Sequence, residues 1–326
     1  MLFSRTPRVR LISAPTPLEK LQRLGAAWGH PNIYIKRDDL IPLGLGGNKV
    51  RSSEFWFGEA QALGADLILV AGLPASNQCR LAAAVSARLG LECHILHNAV
   101  GPNDFQGNQL LNHMMGVTQV FLGAVDEFIR ADMVQEYAQK QAAQGRKPYI
   151  IGDPVVGALG YVNAALELHA QAEIAAFDLN HLFLAGSMGP TEAGLLWGSA
   201  LLGNSFTVHT PSVEYPAPHL SSLIEGICEG ISHKLGFTPA VAPISRLIAS
   251  DSSLGAGYDK VTDEALAAVR DLAAYEGLFA ETTYNAKVLA SLKSSLARGE
   301  IDTDQGICII LTGGTPALFA QGSRFK

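Results

Sequence analysis

The chain has 326 residues, 48% of them hydrophobic and 33 of them glycine, enough to fill two cores and turn many corners. Its formal charge is −6 and its 24 basic residues are scattered with no basic stripe, which argues against a nucleic-acid partner. No apolar run approaches the roughly 20 residues of a bilayer span, so a membrane is not expected either.

Met1 to Arg8 lacks the roughly 7–15-residue apolar stretch of a signal peptide, and Cys79, Cys93, Cys228 and Cys308 show no CxxC spacing. The expectation is a cytoplasmic protein with reduced, packed thiols. Thr16-Pro17-Leu18-Glu19 has the pattern of a capped helix start, with Thr16 at N-cap and Pro17 at N1, and that helix is predicted to reach about Leu24. Ile33 to Arg37 alternates as a strand. Gly44-Leu45-Gly46-Gly47-Asn48-Lys49 then presents a lysine behind three glycines, and Ser52 to Leu63 follows as an amphipathic helix. A lysine at such a loop-to-helix junction can lose its proton by desolvation and attack a carbonyl to form a Schiff base. A surface lysine in a flexible turn is the plainer alternative.

Beyond it, apolar strands and helices take turns. Strands are predicted at Asp66–Ala71, Glu92–Leu96, Val117–Leu122, Pro148–Ile151, His181–Ala185, Phe206–His209 and Ile307–Leu311. Helices are predicted over Cys79–Leu89, Val125–Gln144, Tyr161–Ala176, Thr262–Tyr275 and Ala286–Arg298. Apolar strands separated by helices mean an α/β fold, with mainly parallel sheets covered by helices. In such sheets, sites gather in the loops after the strands' carboxyl ends.

Three of those loops carry chemistry. Gly186-Ser187-Met188-Gly189-Pro190-Thr191-Glu192 follows a strand and opens a helix, so its glycines, hydroxyls and free amides make a cradle for an anion. It lacks both the GxxxxGK[ST] lysine and GxGxxG spacing, leaving a lone phosphate monoester as the best fit. Ala75-Ser76-Asn77-Gln78 also precedes a helix, where Ser76 is either a cap or, with its polar neighbours, part of a carboxylate site. Thr312-Gly313-Gly314-Thr315 closes the last strand in the same way. Tyr258 and Tyr284 lie in stretches of small and polar residues with little core to fill. His94 and His97, three apart on a strand, face opposite ways and make no metal site.

A Schiff-base lysine, a phosphate cradle and a carboxylate loop are together what pyridoxal 5'-phosphate chemistry requires. In order and spacing the chain resembles the 1-aminocyclopropane-1-carboxylate deaminase and D-cysteine desulfhydrase family, of the tryptophan-synthase-β-like fold. The resemblance is carried by Pro15-Thr16-Pro17-Leu18, Ile35-Lys36-Arg37-Asp38-Asp39, Gly46-Gly47-Asn48-Lys49-Val50-Arg51, Ser76-Asn77-Gln78, Tyr284 and Gly313-Gly314-Thr315-Pro316-Ala317-Leu318-Phe319. It implies Lys49 as the cofactor's covalent anchor and catalytic base, and Asn77 near the cofactor's 3-hydroxyl. Asn48, Gly186, Ser187, Met188, Gly189, Thr191 and Thr312 would complete the cofactor site. Ser76, Asn77, Gln78, Tyr258 and Tyr284 would meet a small amino-acid substrate. It also implies a homodimer, and a small α/β domain of residues 53–161 inserted in a large cofactor domain of residues 1–52 and 162–326.

Two positions separate the branches of this family. Ring-opening deaminases carry Glu after the second tyrosine and Leu before the late Gly-Gly, whereas this chain has Asn285 and Thr312. Thr312, shared with desulfhydrases, is placed to hydrogen-bond the cofactor's ring nitrogen. The resemblance thus implies α,β-elimination, with D-cysteine as lead substrate, yielding pyruvate, ammonia and sulfide. Departures fall mostly on the substrate side: Gln78 where many desulfhydrases have His, Leu311 before Thr312, and Glu281-Thr282-Thr283-Tyr284-Asn285 around the second tyrosine. Met188 and Pro190 stand in the phosphate loop where small residues and Gly are usual. Ring opening, β- or γ-replacement, elimination from another amino acid, and a non-catalytic cofactor- or amino-acid-binding protein are the alternatives.

Overall fold

The computed structural model describes residue 3 and residues 6–101 and 104–326. Strand β1 (Leu18–Lys20), helix α1 (Gln22–Ala27) and strand β2 (Ile33–Lys36) lead through two short 3₁₀ turns into helix α2 (Lys49–Ala62). Next come β3 (Leu67–Ala71), α3 (Asn77–Leu89), β4 (Glu92–His97), α4 (Asn108–Met114), β5 (Thr118–Phe121), α5 (Glu127–Ala143) and β6 (Pro148–Ile150). Their strands form one parallel sheet in the order β5-β4-β3-β6. Helix α6 (Pro154–Ile174) returns the chain to β7 (Leu179–Phe183), α7 (Pro190–Leu201), β8 (Thr207–Pro211), α8 (Ala217–Leu235) and β9 (Leu247–Ser250). Helices α9 (Asp263–Glu276) and α10 (Asn285–Ala297), strand β10 (Gly306–Ile310) and helix α11 (Thr315–Ala320) follow. The second sheet runs β1-β2-β10-β7-β8-β9, parallel throughout except between β1 and β2. This is the expected α/β architecture of two mainly parallel sheets.

Strands β3 and β10 are buried on both faces, as continuous apolar runs in a helix-covered sheet must be. The largest core cluster joins both sheets through Trp56, Ile68, Leu182, Trp197 and Val208. Helix α6 is its axis. Gly160 of α6 lets the α2 backbone in so close that a Cβ there would sit 2.3 Å from the Arg51 carbonyl oxygen. Gly194 of α7 likewise admits α6, where a Cβ would meet the Ala158 carbonyl oxygen at 2.3 Å.

Two sequence expectations fail. Leu18–Lys20 is a strand, paired antiparallel with β2, because Thr16 is drawn into a tertiary contact and does not cap a helix. Helix α2 begins at Lys49 and is buried nearly all round from Val50 to Gly58, so it is a core helix and not an amphipathic surface one. Its polar residues are paired inside. The Arg51 guanidinium donates to both oxygens of Asp38 (2.8 and 2.9 Å) and both of Glu167 (2.9 and 3.0 Å). Asp38 also accepts the Thr16 hydroxyl at 2.8 Å and the Tyr161 hydroxyl. Lys36 donates to the Thr16 carbonyl and to Glu167, giving two cations and two anions in one buried group. Asp38 also takes the Gly47 N–H on its carbonyl at 3.0 Å, tying the glycine turn to this anchor.

Candidate active site

The loops after β3, β7 and β10 open into a cavity of about 780 Å³. Of the residues singled out from the sequence, Asn48, Lys49, Ser76, Asn77, Gln78, Ser187, Met188, Thr191, Tyr258, Tyr284 and Thr312 all border it. Gly186 and Gly189 shape its wall without lining it. Four further charged residues line the same space and were not read as site residues: Glu127 and Arg130 on α5, Glu192 at the start of α7, and Glu214 after β8.

Lys49 is the first residue of α2, and the Asn48 N–H before it donates to the Thr312 carbonyl at 3.0 Å. Burial lowers the Lys49 pKa, opposed by the attraction of the Glu192 carboxylate. Desolvation of this kind holds a lysine ready to act as nucleophile and base.

Across the cavity, Ser76 does cap α3, accepting the Cys79 N–H at 3.3 Å, and it still lines the cavity. Capping therefore does not take Ser76 out of the cavity wall. The Asn108 amide donates to the Asn77 Oδ1 at 2.9 Å, which fixes the Asn77 side chain and leaves its NH₂ as the available donor. Gln78 lies in the first turn of α3, where free amides favour a carboxylate.

The cradle is the turn between β7 and α7. Gly189 has φ of +89°, a conformation open to glycine, and a Cβ there would lie 2.9 Å from Ile227. Thr191 accepts the Asn48 amide at 3.2 Å, tying cradle to lysine loop. Glu192 turns back into the cradle and accepts the Ser187 N–H at 3.0 Å. Burial raises its pKa, against the N–H groups of Glu192 itself, Ser187 and Gly189 and the charge of Lys49. The Ser187 hydroxyl donates to Glu214 at 2.7 Å, and burial raises the Glu214 pKa as well.

Tyr258 and Tyr284 share a hydrogen bond of 2.6 Å between hydroxyls, their rings meeting edge-on. Burial pushes the Tyr258 phenol up to about 12 and lifts that of Tyr284 well above the ordinary range. Below them, the Glu281 carboxylate accepts the N–H groups of Thr283, Tyr284 and Asn285, satisfying the start of α10. The Asn285 amide donates to Glu281 and to the Gly313 carbonyl, so its oxygen must face Thr312. That oxygen takes both the Thr312 N–H (3.2 Å) and the Thr312 hydroxyl (3.1 Å). The Thr312 proton is thus spent on Asn285, and only the lone pairs of its oxygen remain for the cavity. A bond between Thr312 and the cofactor's ring nitrogen would therefore be one in which Thr312 accepts.

These residues fit the cofactor that the sequence resemblance implies. A desolvated lysine, an Asn77 amide donor and a glycine-bounded turn of amides face one cavity large enough for cofactor and substrate together. Among the described residues, no cluster of His, Cys, Asp or Glu could hold a metal ion, and no helix is long and apolar enough to cross a membrane.

Comparison with known proteins agrees. The family described as "Pyridoxal-phosphate dependent enzyme" matches residues 9–313. The chain is similar to D-cysteine desulfhydrase of Yersinia pestis (strain Pestoides F), 35% identical over 98% of this chain and 97% of the relative. D-cysteine desulfhydrase of Salmonella newport (strain SL254) is 36% identical over the same shares. Among solved structures, an "ACC deaminase homologue" superposes with a TM-score of 0.90 at 30% identity, covering 99% of this chain and 96% of that one. Threonine deaminase isoform 2 of Solanum lycopersicum shares the fold, with a TM-score of 0.66 at 17% identity.

Proposed function

Because the chain belongs to the pyridoxal-phosphate dependent enzymes, among the relatives of D-cysteine desulfhydrase and ACC deaminase, we propose that it eliminates across the Cα–Cβ bond of a small amino acid. D-cysteine is the lead substrate, with water taken up and pyruvate, ammonia and hydrogen sulfide released. The observation that carries this reading is that Lys49, Ser76, Gln78 and the Tyr258–Tyr284 pair face one cavity.

The bound cofactor supplies the carbonyl that captures the substrate amine and the electron sink that acidifies its α-hydrogen. Lys49 anchors it and, once released, moves the α-proton on its Nζ; the burial that lowers its pKa favours the uncharged amine that this role needs. Ser76, Gln78 and the α3 amides orient the substrate carboxylate. The tyrosine pair, held protonated by burial, hydrogen-bonds the departing sulfur and stabilises the charge that develops on it. Asn285 supports this reading against ring opening, since its amide fixes Thr312 and offers no carboxylate.

The test is keto acid, ammonia and sulfide release from the cofactor-loaded protein, offered D- and L-cysteine, D- and L-serine, β-chloroalanine, cysteate and 1-aminocyclopropane-1-carboxylate. Equal amounts of pyruvate, ammonia and sulfide from D-cysteine are expected, all lost in Lys49→Ala together with retention of the cofactor through gel filtration. Formation of 2-oxobutyrate from the cyclopropane, with D-cysteine untouched, would overturn the assignment.

A further inference from the structure

The phosphate cradle already contains an anion of its own. Glu192, 2% exposed, accepts the Ser187 N–H at 3.0 Å, and the N–H groups of Gly189 and Glu192 also act on it. Those amides are part of the loop's supply of donors. Pro190 contributes none, having no N–H. The Ser187 hydroxyl proton is directed to Glu214 and the Thr191 oxygen accepts from Asn48. The charges bearing on Glu192 are few. Lys49 of α2 attracts it. Glu214 lies beyond Ser187, itself acted on by Glu127 and Arg130 of α5.

We infer that Glu192 is a built-in competitor for the cofactor's phosphate, which enters the cradle when this carboxyl takes up a proton. The inference rests on the cofactor reading above and adds a control of cofactor loading by a residue of the cradle itself. A phosphate monoester carries close to two negative charges near neutral pH. An ionised carboxylate sharing its donors repels it strongly where solvent is excluded. Protonated, the same carboxyl is neutral and can itself donate. Cofactor affinity therefore falls as pH rises, by up to about tenfold per unit over the range in which Glu192 is ionised in the free protein.

Two compounds separate this effect from the chemistry at Lys49: pyridoxal phosphate, and pyridoxal, which attaches to the same lysine without entering the cradle. Dissociation constants for both are read by visible absorbance between about pH 6.5 and 8.5, for wild type, Glu192→Gln and Glu192→Ala. Glutamine keeps an oxygen for the Ser187 N–H, whereas alanine frees that donor. The ratio of pyridoxal to pyridoxal phosphate dissociation constants cancels the pH dependence of the lysine. In wild type this ratio should fall as pH rises. In both variants it should be flat and at least about tenfold higher near pH 8. A flat wild-type ratio, or one that both variants leave unchanged while pyridoxal still attaches, overturns the inference and spares the cofactor reading. Failure of both compounds to be trapped on Lys49 by borohydride overturns the two together.

Discussion

Replacing Asp38 by Asn takes one carboxylate from a buried group while changing almost no volume. Side-chain exposure is 1% for Asp38, 2% for Arg51, 1% for Lys36 and 13% for Glu167, so water cannot step in. The two Asp38 oxygens accept four donors: two from Arg51 and the hydroxyls of Thr16 and Tyr161. An amide supplies one oxygen. The hydroxyls can rotate to accept, but one guanidinium N–H is left facing an NH₂ in either amide orientation. The group also passes from two cations and two anions to a net charge of +1. Breaking a buried pair in this way costs about 3–5 kcal/mol. A chain of this length unfolds with an entropy of roughly 0.7 kcal/mol/K, so the melting temperature should drop by about 4–7 °C. Thermal unfolding by circular dichroism at neutral pH reads this directly. Burial opposes the Asp38 charge, yet Arg51 and the hydrogen bonds outweigh it and its pKa lies below the ordinary value. The stabilisation is therefore present above the unfolded-state pKa of about 3.9 and lost as pH falls through the lower folded value. The gap between wild type and Asp38→Asn should hold down to about pH 5 and close below about pH 4. A gap under about 1 °C at neutral pH, or one that widens on acidification, would refute the reasoning.

The tyrosine pair and the thiols give two more tests. Tyr258→Phe and Tyr284→Phe each remove one hydroxyl from the 2.6 Å contact and should lower kcat on D-cysteine by about a hundredfold, with KM changed less than about threefold. A raised KM with kcat intact would make the pair a binding element instead. All four cysteines are free and buried, and burial pushes Cys79 up to about 11 and Cys93, Cys228 and Cys308 to about 12. A chromogenic disulfide should find no fast thiol in the native protein and four in guanidinium; any rapid native reaction contradicts the packing.

The three loops were legible because a polar, glycine-rich turn after an apolar run has few uses other than a site. Helix α1 was misplaced because Thr16-Pro17-Leu18-Glu19 satisfies every local rule for a helix start. A distant carboxylate, Asp38, claims the Thr16 hydroxyl, and pairing with β2 claims the backbone. The amphipathic reading of Ser52–Leu63 follows from polar residues such as Glu54, which are ordinary on a solvent-facing side. Arg51 in fact serves Asp38 and Glu167, and Glu54 accepts the N–H groups of Leu11 and Ile12. Glu192 gave no signal at all, since an acidic residue in the first turn of a helix is ordinary. Only the fold shows its side chain turned back on the loop. Asn285 was visible as a departure from the deaminase pattern, but its grip on Thr312 belongs to two segments 27 residues apart.

The seating of α2 on Gly160 of α6, and of α6 on Gly194 of α7, sets a spacing that no loop controls. Lys49 opens α2 and Thr191 stands in the first turn of α7, so the two ends of the cofactor would be held by helices whose separation is fixed backbone against backbone. Ser76 and Gln78 come from the other sheet, and the tyrosines from the segments before α9 and α10. The groups that would choose the substrate are therefore mounted separately from those that would grip the cofactor. Sequence change can accumulate among them while the cofactor's gauge stays constant.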